Sequence, residues 1–157
     1  MATSPEEYWK IIKNIDGADC VIASRYLKGS KVYPPVTFRR LIVGRTFNYF
    51  IRFFLFLPYQ DTQCGAKLFK RNVVKKMLPF LTLSQWAFDV DVLFTIRKLG
   101  FKIKEVPSSW IDKEYSKINF VRAGPWMALA IIRLRILHSP FKRFVKIYDK
   151  FIKFVPK

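Results

Sequence analysis

The segment at residues 61–65, with the sequence DTQCG, places an acid, an amide, a thiol and a glycine close together, directly before an alternating run at 66–69. Alternation of apolar and polar side chains predicts the start of a strand. Polar groups gathered just before a strand predict a loop held at a sheet edge, where ligand sites are commonly built. Asp and Gly also suit an ordinary turn, so the segment alone leaves both interpretations open.

Three further segments follow it along the chain: FDVDVL at 88–93, IKEVPSSW at 103–110 and the dipeptide Ser116-Lys117. In this order, with the first segment extended to DTQCGAKLFKR, they resemble the C-terminal half of family 2 glycosyltransferases that act on polyisoprenyl phosphates. The resemblance is strongest to the dolichyl-phosphate glucose synthases. In these, DTQCG-x-KLF, W-x-FDV-(D/E)-(V/I)-L and E-(V/I)-P-x-(S/T)-W also follow in order. It runs from about residue 2 to about residue 137.

The resemblance implies an α/β fold, the C-terminal part of a Rossmann-like GT-A domain. Residues 1–118 would form the acceptor-side half of that domain without its nucleotide-binding half, and residues 119–157 would form membrane-associating amphipathic helices. The sequence pattern itself predicts three strands, at 18–24, from 66 and at 101–107. It predicts helices at 5–14, 38–57, 72–81, 84–99, 120–137 and 142–153, with polar loops at 27–37 and 108–119.

The composition indicates an anionic partner. The chain has 29 Lys and Arg against 11 Asp and Glu among 157 residues, a formal charge of +18. Such a field favours nucleic acid, anionic lipid or a phosphorylated ligand. Sixteen Phe residues interleaved with the cations favour a lipid surface, although aromatic rings also stack on bases. A nucleic-acid-binding domain and a non-enzymatic membrane-surface module stay as alternatives. No zinc-finger, RRM or helix-turn-helix signature supports the former, so we expect no nucleic-acid partner.

The apolar segments are suited to lie on a membrane rather than to cross it. A spanning helix needs about 20 largely apolar residues. The segment 47–57 is short and contains Arg52, and arginines interrupt the segment 120–137. Residues 142–153 alternate apolar and basic side chains at helical spacing, as in an interfacial helix or in one docked on the domain's own core. With no signal peptide visible, we expect a peripheral location on the cytoplasmic face of the endoplasmic reticulum or plasma membrane.

Four basic residues are candidates for the acceptor phosphate. Arg25 follows a predicted strand, at the carboxyl end where α/β sheets bind ligands, although a surface arginine with a buried stem is the simpler interpretation. Arg39 and Arg40 begin the long predicted helix beside a loop, and the guanidinium fork suits phosphate. The resemblance implies phosphate contact for Arg25, for one of Arg39 and Arg40, and for Lys117 in the Ser-Lys loop.

Acidic and amide side chains are candidates for the reacting end of the site. By the resemblance, Asp89 and Asp61 would be the catalytic acids, and Gln63 and Lys67 would contact the sugar or diphosphate. Asp89 also lies in the first turns of a predicted helix, where the helix dipole alone favours a carboxylate. Asp91 should point to another side of that helix and ranks below Asp89.

No metal site is predicted in this chain. The family holds Mg²⁺ or Mn²⁺ on an Asp-x-Asp motif directly before the segment that resembles residues 2–7, and this chain begins after that point. Asp89-x-Asp91 has the spacing but follows the wrong motif. The resemblance therefore implies a fragment of an inverting transferase that moves a hexose, expected to be glucose from UDP-glucose, to dolichyl or polyprenyl phosphate for N-glycosylation or other glycan assembly. The missing half is encoded upstream, is a separate chain or has been lost, and this piece alone is expected to be inactive.

Overall fold

A computed structural model describes residues 4–35, 37–82, 87–111 and 120–152, with side-chain surroundings in the last range given for 124–149. It is a mixed α/β arrangement, as predicted. The helices are α1 (Pro5–Lys13), α2 (Phe38–Leu55), α3 (Arg71–Met77), α4 (Phe88–Lys98), α5 (Phe120–Leu137) and α6 (Val145–Ile152). The strands are β1 (Cys20–Ser24), β2 (Lys31–Tyr33), β3 (Lys67–Phe69), β4 (Ile103–Pro107) and β5 (Ser109–Ile111).

The strands form two small sheets that meet at one corner. In the larger sheet β1 lies in the centre, antiparallel to β3 and parallel to β4. In the smaller sheet β2 and β5 run parallel. Ser24 pairs with Pro107 at the carboxyl ends of β1 and β4, and the amide of Ser108 donates to the Ser24 carbonyl at 3.1 Å. The chain therefore leaves both parallel strands at the same edge of the sheet.

Strand β1 is buried along its whole length, because both faces of its sheet are covered. Cys20 and Ile22 pack into one core with the inner faces of α2, α3, α4 and α5. Val21 and Ala23 pack on the other side with Ile11 of α1 and with the segment around Ala66. The continuous apolar run that predicted a buried strand is explained by this two-sided burial.

The long helix α2 buries one face and exposes the other. Asn48, Ile51 and Leu55 are buried, and the helix packs against α5, whose Ile131 and Leu134 belong to the same core. The helix ends at Phe56, which takes a left-handed backbone conformation with φ of 53°. The predicted division of the chain near residue 118 stays a prediction.

Two sequence predictions about loops were wrong. The segment 27–37 contains β2, and the segment 108–119 contains β5 at its beginning. Both strands are only three residues long, and each depends on the other for its hydrogen bonds. The helix predicted at 142–153 is a short 3-10 turn, Lys142–Phe144, followed by α6. Tyr148 of α6 donates to the Leu129 carbonyl at 2.6 Å, and Asp149 pairs with Arg133, so α6 docks on α5.

Candidate functional site

The end of β1 carries an ion pair between Arg25 and Asp61. Nε and Nη2 of Arg25 donate to the two carboxylate oxygens of Asp61 at 2.7 and 2.9 Å, and the Arg25 amide donates at 3.0 Å. Asp61 is buried, whereas about a quarter of the Arg25 side chain, 26%, is exposed. Burial alone would lower the pKa of Arg25, but the hydrogen bonds and charge of Asp61 outweigh burial and raise that pKa. Arg25 is therefore a fixed cation with one edge open to solvent.

Two side chains from distant elements hold the loop that carries Asp61. Glu105 of β4 accepts hydrogen bonds from the amides of Gln60 and Asp61 at 2.9 and 2.8 Å. Asn48 of α2 donates to the Gln60 carbonyl at 2.6 Å and accepts from the Thr62 amide and hydroxyl at 3.2 and 2.7 Å. Because these bonds satisfy the buried polar groups of the loop, its backbone is fixed between helix and sheet.

Aromatic rings surround the exposed edge of Arg25. Its guanidinium carbon lies 5.5 Å from the ring centroid of Tyr26 and 5.6 Å from that of Trp110. A second guanidinium, that of Arg45 in α2, lies 4.4 Å from the same Tyr26 ring. Gly44 lies beside this contact, where an added Cβ would stand 3.5 Å from the Tyr26 hydroxyl. We call Arg25, Tyr26, Arg45 and Trp110 the arginine–aromatic cluster.

A second ion pair joins the strand after the DTQCG loop to α4. The Lys67 ammonium donates to Asp89 Oδ1 at 2.6 Å and also to the Cys64 carbonyl. The Lys67 side chain is only 4% exposed, whereas that of Asp89 is 36% exposed. The buried Lys67 therefore fixes the Asp89 carboxylate through one oxygen and leaves part of that carboxylate open to solvent. This arrangement adds a specific partner to the helix-dipole explanation for Asp89.

Cys64 lies in the chain between Asp61 and Lys67, which belong to the two ion pairs, and its carbonyl accepts a hydrogen bond from Lys67. Burial raises the pKa of its thiol, and the charges of Asp61, Arg25 and Lys67 all act on it. The thiol is therefore protonated at neutral pH and unsuited to act as a nucleophile. Cys20 on β1 is similar, since burial raises its pKa to about 12. The thiol of the DTQCG segment is thus a packing group between the charged pairs.

The remaining candidates fall into three groups. Gln63 stands beside the first pair, where its backbone N–H donates to Asp61 Oδ1 at 3.3 Å. Arg39 is exposed, and half-buried Arg40 lies one turn before Gly44 on the same side of α2, so Arg40 is the nearer of the two to the arginine–aromatic cluster. Lys117 lies outside the described residues. The roles assigned to all of these residues stay predictions.

Asp91 points away from Asp89, as predicted. It is fully buried and accepts hydrogen bonds from the Thr82 amide at 2.6 Å and from the Thr95 hydroxyl at 3.1 Å. The two carboxylates therefore cannot share one cation. Within the described ranges, no group of three or more His, Cys, Asp or Glu side chains could hold a metal ion. The side chains in these ranges therefore do not fit the cation that the family resemblance implies.

Sequence reasoning missed five residues that build this site. Tyr26 and Arg45 gave no signal, because their contact joins segments that only the fold brings together. Glu105 and Trp110 stood inside a recognised motif without an assigned role. Asn48, which fixes the DTQCG loop, could have been found as a polar residue on the face of α2 that is otherwise apolar.

Comparison with known proteins supports the resemblance. The chain is 35% identical to the dolichyl-phosphate β-glucosyltransferase of Dictyostelium discoideum over 126 residues, which cover 80% of this chain and 38% of that protein. It is 31% identical to the polyprenol monophosphomannose synthase of Mycolicibacterium smegmatis over 71% of this chain and 42% of that protein. The chain resembles part of these family 2 glycosyltransferases. The same enzyme name recurs at 39% identity in Saccharomyces cerevisiae, over 50% of this chain.

These matches span only part of each relative. The chain covers about two fifths of the length of the Dictyostelium and Mycolicibacterium proteins, which agrees with a fragment. No protein-family model matches the chain, and no solved structure matches it.

Proposed function

We propose that this chain is the acceptor side of a hexosyltransferase that moves glucose from UDP-glucose to dolichyl or another polyprenyl phosphate. The observation that carries the proposal is the Arg25–Asp61 pair at the carboxyl edge of the parallel strands, open on one side and lined by aromatic rings. A fixed guanidinium with free donors recognises a phosphate monoester. The relatives' names supply the lipid and the sugar.

The proposed reaction is an in-line displacement. An ionised oxygen of the lipid phosphate forms a bond to the anomeric carbon, while the bond from that carbon to the nucleotide diphosphate breaks. The diphosphate leaves with the electron pair, and the anomeric configuration inverts. An ionised phosphate is already nucleophilic, so positioning and charge neutralisation dominate catalysis.

The ion pairs suggest separate roles for the two candidate acids. Both carboxylate oxygens of Asp61 accept hydrogen bonds from Arg25. The proposed role of Asp61 is therefore to position that arginine against the lipid phosphate. Asp89 keeps part of its carboxylate open and is proposed to face the sugar beside the reacting centre. Arg40 or Arg39 and Lys117 are proposed to add charge on the phosphate, and Gln63 is proposed to contact the sugar or diphosphate.

An exposed apolar stripe on α2 is proposed to contact the membrane. Helical spacing places its members within the helix on one side of α2, opposite Asn48 and Ile51, and Phe56 follows directly after the helix. Arg52 stacks on Tyr49 at 5.6 Å, and Arg135 stacks on Phe56 at 4.9 Å, so cations border the stripe. Such a surface suits an anionic bilayer. This α2 stripe consists of Phe38, Ile42, Tyr49, Phe53 and Phe56, all exposed.

The C-terminal segment continues the same kind of surface. Phe141, Phe144 and Ile147 are exposed at helical spacing although α6 docks on α5, and exposed basic side chains alternate with them. Among the described residues, no helix is long and apolar enough to span a bilayer. We therefore propose a peripheral protein on the cytoplasmic face of the endoplasmic reticulum or plasma membrane, completed by a nucleotide-binding half that supplies the cation ligands.

Vesicle co-sedimentation tests the proposal. Neutral phosphatidylcholine vesicles are doped either with dolichyl phosphate or with phosphatidic acid at equal surface charge, and the bound fraction of the chain is measured at several salt concentrations. Both dopants carry a phosphate monoester, but only one carries a polyprenyl chain. We expect tighter binding to the dolichyl phosphate vesicles, with a difference that persists as salt screens general attraction.

The alternatives give other outcomes. Equal binding to both vesicle types would support a non-enzymatic membrane-surface module and overturn acceptor recognition. Binding to duplex DNA that competes with dolichyl phosphate vesicles at moderate salt would favour a nucleic-acid-binding domain.

A further inference from the structure

We propose that Arg45 completes an oxyanion site with Arg25 beside the ring of Tyr26, and that this site takes a phosphate monoester. The inference rests on the proposed function and adds a residue that the family motifs do not point to. Its ligand chemistry is a terminal phosphate, supplied either by a polyprenyl phosphate or by free phosphate.

The guanidinium groups of Arg25 and Arg45 both lie against the ring of Tyr26. Their carbons lie 5.5 and 4.4 Å from the Tyr26 ring centroid, so they are less than about 10 Å apart. A phosphate that accepts hydrogen bonds from both groups lies about 4 Å from each guanidinium carbon, so the site requires the two carbons to lie within about 8 Å of each other, inside the limit that the shared ring sets. The Tyr26 ring holds both cations by cation–π contact and keeps them from separating.

Both guanidinium groups have N–H donors that no described residue accepts. Asp61 engages Nε and Nη2 of Arg25, which leaves Nη1 with no acceptor in the described part of the chain. Arg45 is half-buried and, in the same part of the chain, makes neither an ion pair nor a hydrogen bond. Two cations held close together without a second acid attract an anion, since their mutual repulsion falls when it binds.

Arg45 lies beside the exposed apolar side chains of the α2 stripe. Arg45 lies between Ile42 and Tyr49 along the helix, on the edge of the stripe that faces Tyr26. A phosphate held here would leave its alkyl chain beside the exposed apolar side chains of α2. Gly44 adds room at this point because it presents no side chain toward the Tyr26 hydroxyl. The site therefore fits a head group that arrives from a lipid surface.

The test is equilibrium binding of farnesyl phosphate, farnesol and inorganic phosphate to the 157-residue chain and to three variants. Arg45→Gln removes the charge, and Arg45→Lys keeps the charge but loses the planar fork. Arg71→Gln is the control, because it makes the same substitution on the exposed surface of α3, outside both the arginine–aromatic cluster and the α2 stripe. Circular dichroism and thermal unfolding check that each variant is folded.

We expect Arg45→Gln to weaken farnesyl phosphate binding about tenfold or more, the usual effect of a charge-assisted hydrogen bond. Arg45→Lys should fall between the wild type and Arg45→Gln, and Arg71→Gln should stay within about twofold of the wild type. Farnesol binding should not change. Affinity should rise from pH 5.5 to 7.5 as the phosphate loses its second proton near pH 6, and Arg45→Gln should flatten that rise. A merely structural role would lower affinity equally at every pH.

Each other outcome separates the role of Arg45 from the proposed binding of the lipid acceptor. If the wild type binds farnesyl phosphate and Arg45→Gln binds it equally well, the role of Arg45 is overturned and acceptor binding stands. Equal losses in Arg45→Gln and Arg71→Gln would indicate general charge attraction and also overturn it. If inorganic phosphate binds as tightly as farnesyl phosphate with the same dependence on Arg45, the oxyanion site stands and lipid recognition fails. No binding of either phosphate by the wild type would overturn both.

Discussion

Arg25 and Asp61, separated by 36 positions in the chain, are joined by two side-chain hydrogen bonds and by a third from the Arg25 amide. This pairing brings the end of β1 and the DTQCG loop together at one edge of the sheet. It turns a surface arginine into an oriented cation. The proposed acceptor site depends on this pair more than on any other contact.

Asp61→Asn should destabilise the fold, because it leaves the Arg25 charge partly buried without its anion. Breaking a buried pair costs about 3–5 kcal/mol, and the partial exposure of Arg25 reduces the expected loss to about 2 kcal/mol. Urea unfolding of the wild type and the variant measures it. Asp16→Asn, at an exposed turn position, is the matched control and should change stability by less than about 0.5 kcal/mol. Equal stability of Asp61→Asn and the wild type would contradict the structural importance of the pair.

Asn48→Ala should cost about 3 kcal/mol of unfolding free energy, because the Gln60 carbonyl and the Thr62 amide lose their partner together. Hydrogen exchange should also show faster exchange of the Thr62 amide. Asn72→Ala, on the exposed surface of α3, provides the same substitution without buried partners and should be nearly neutral. A Thr62 amide that stays protected in Asn48→Ala would show that Asn48 does not hold the loop.

His138, the only histidine in the chain, should make stability fall as pH drops below neutral. Burial lowers its pKa, the Lys98 cation lowers it further, and Asp91 acts in the opposite direction. Nδ1 of His138 lies 2.7 Å from the Lys98 ammonium, a contact that requires the neutral ring. The unfolded chain therefore binds the proton more readily, so stability is full above about pH 6.5 and declines below it until the folded-state pKa is reached.

The comparison for this prediction is His138→Phe, which keeps a ring against Phe94 and cannot titrate. Urea unfolding between pH 7.5 and 5 should show the decline in the wild type and a shallower dependence in the variant. Parallel curves would mean that other groups cause the pH dependence.

The pure chain should show no glucosyl transfer from UDP-glucose to dolichyl phosphate, even with Mg²⁺ or Mn²⁺ present. Its described residues offer no cation site to neutralise the leaving diphosphate. The full-length Dictyostelium relative, assayed under the same conditions, controls for substrate quality. Transfer by the chain alone would show that no separate nucleotide-binding half is required.

The sequence was sufficient for the elements whose signal is local. The apolar spacing of α2 and α5 and the run from Cys20 to Ser24 predicted helices and a buried strand where the structure has them. It was insufficient for β2 and β5, because each is a three-residue segment that becomes a strand only through pairing with the other. Pro34 directly after β2 also favoured a loop.

The candidate site divides in the same way. The family resemblance pointed to Arg25, Asp61, Lys67 and Asp89, and the structure joins them in two ion pairs. It could not identify Tyr26 and Arg45 as neighbours, because that contact depends on how α2 lies across the end of β1. Local patterns predict which side chains are chemically suitable, whereas long-range packing decides which of them meet.

The central claim is that the arginine–aromatic cluster and the α2 stripe together bind a membrane lipid by its phosphate. Photo-crosslinking with a polyprenyl phosphate that carries a diazirine near its head group tests this directly, with the labelled peptides located by mass spectrometry. We predict labelling within residues 25–56, competed by dolichyl phosphate and not by dolichol. Labelling concentrated on α1 or α3, or labelling in 25–56 that dolichol competes equally well, would contradict the account.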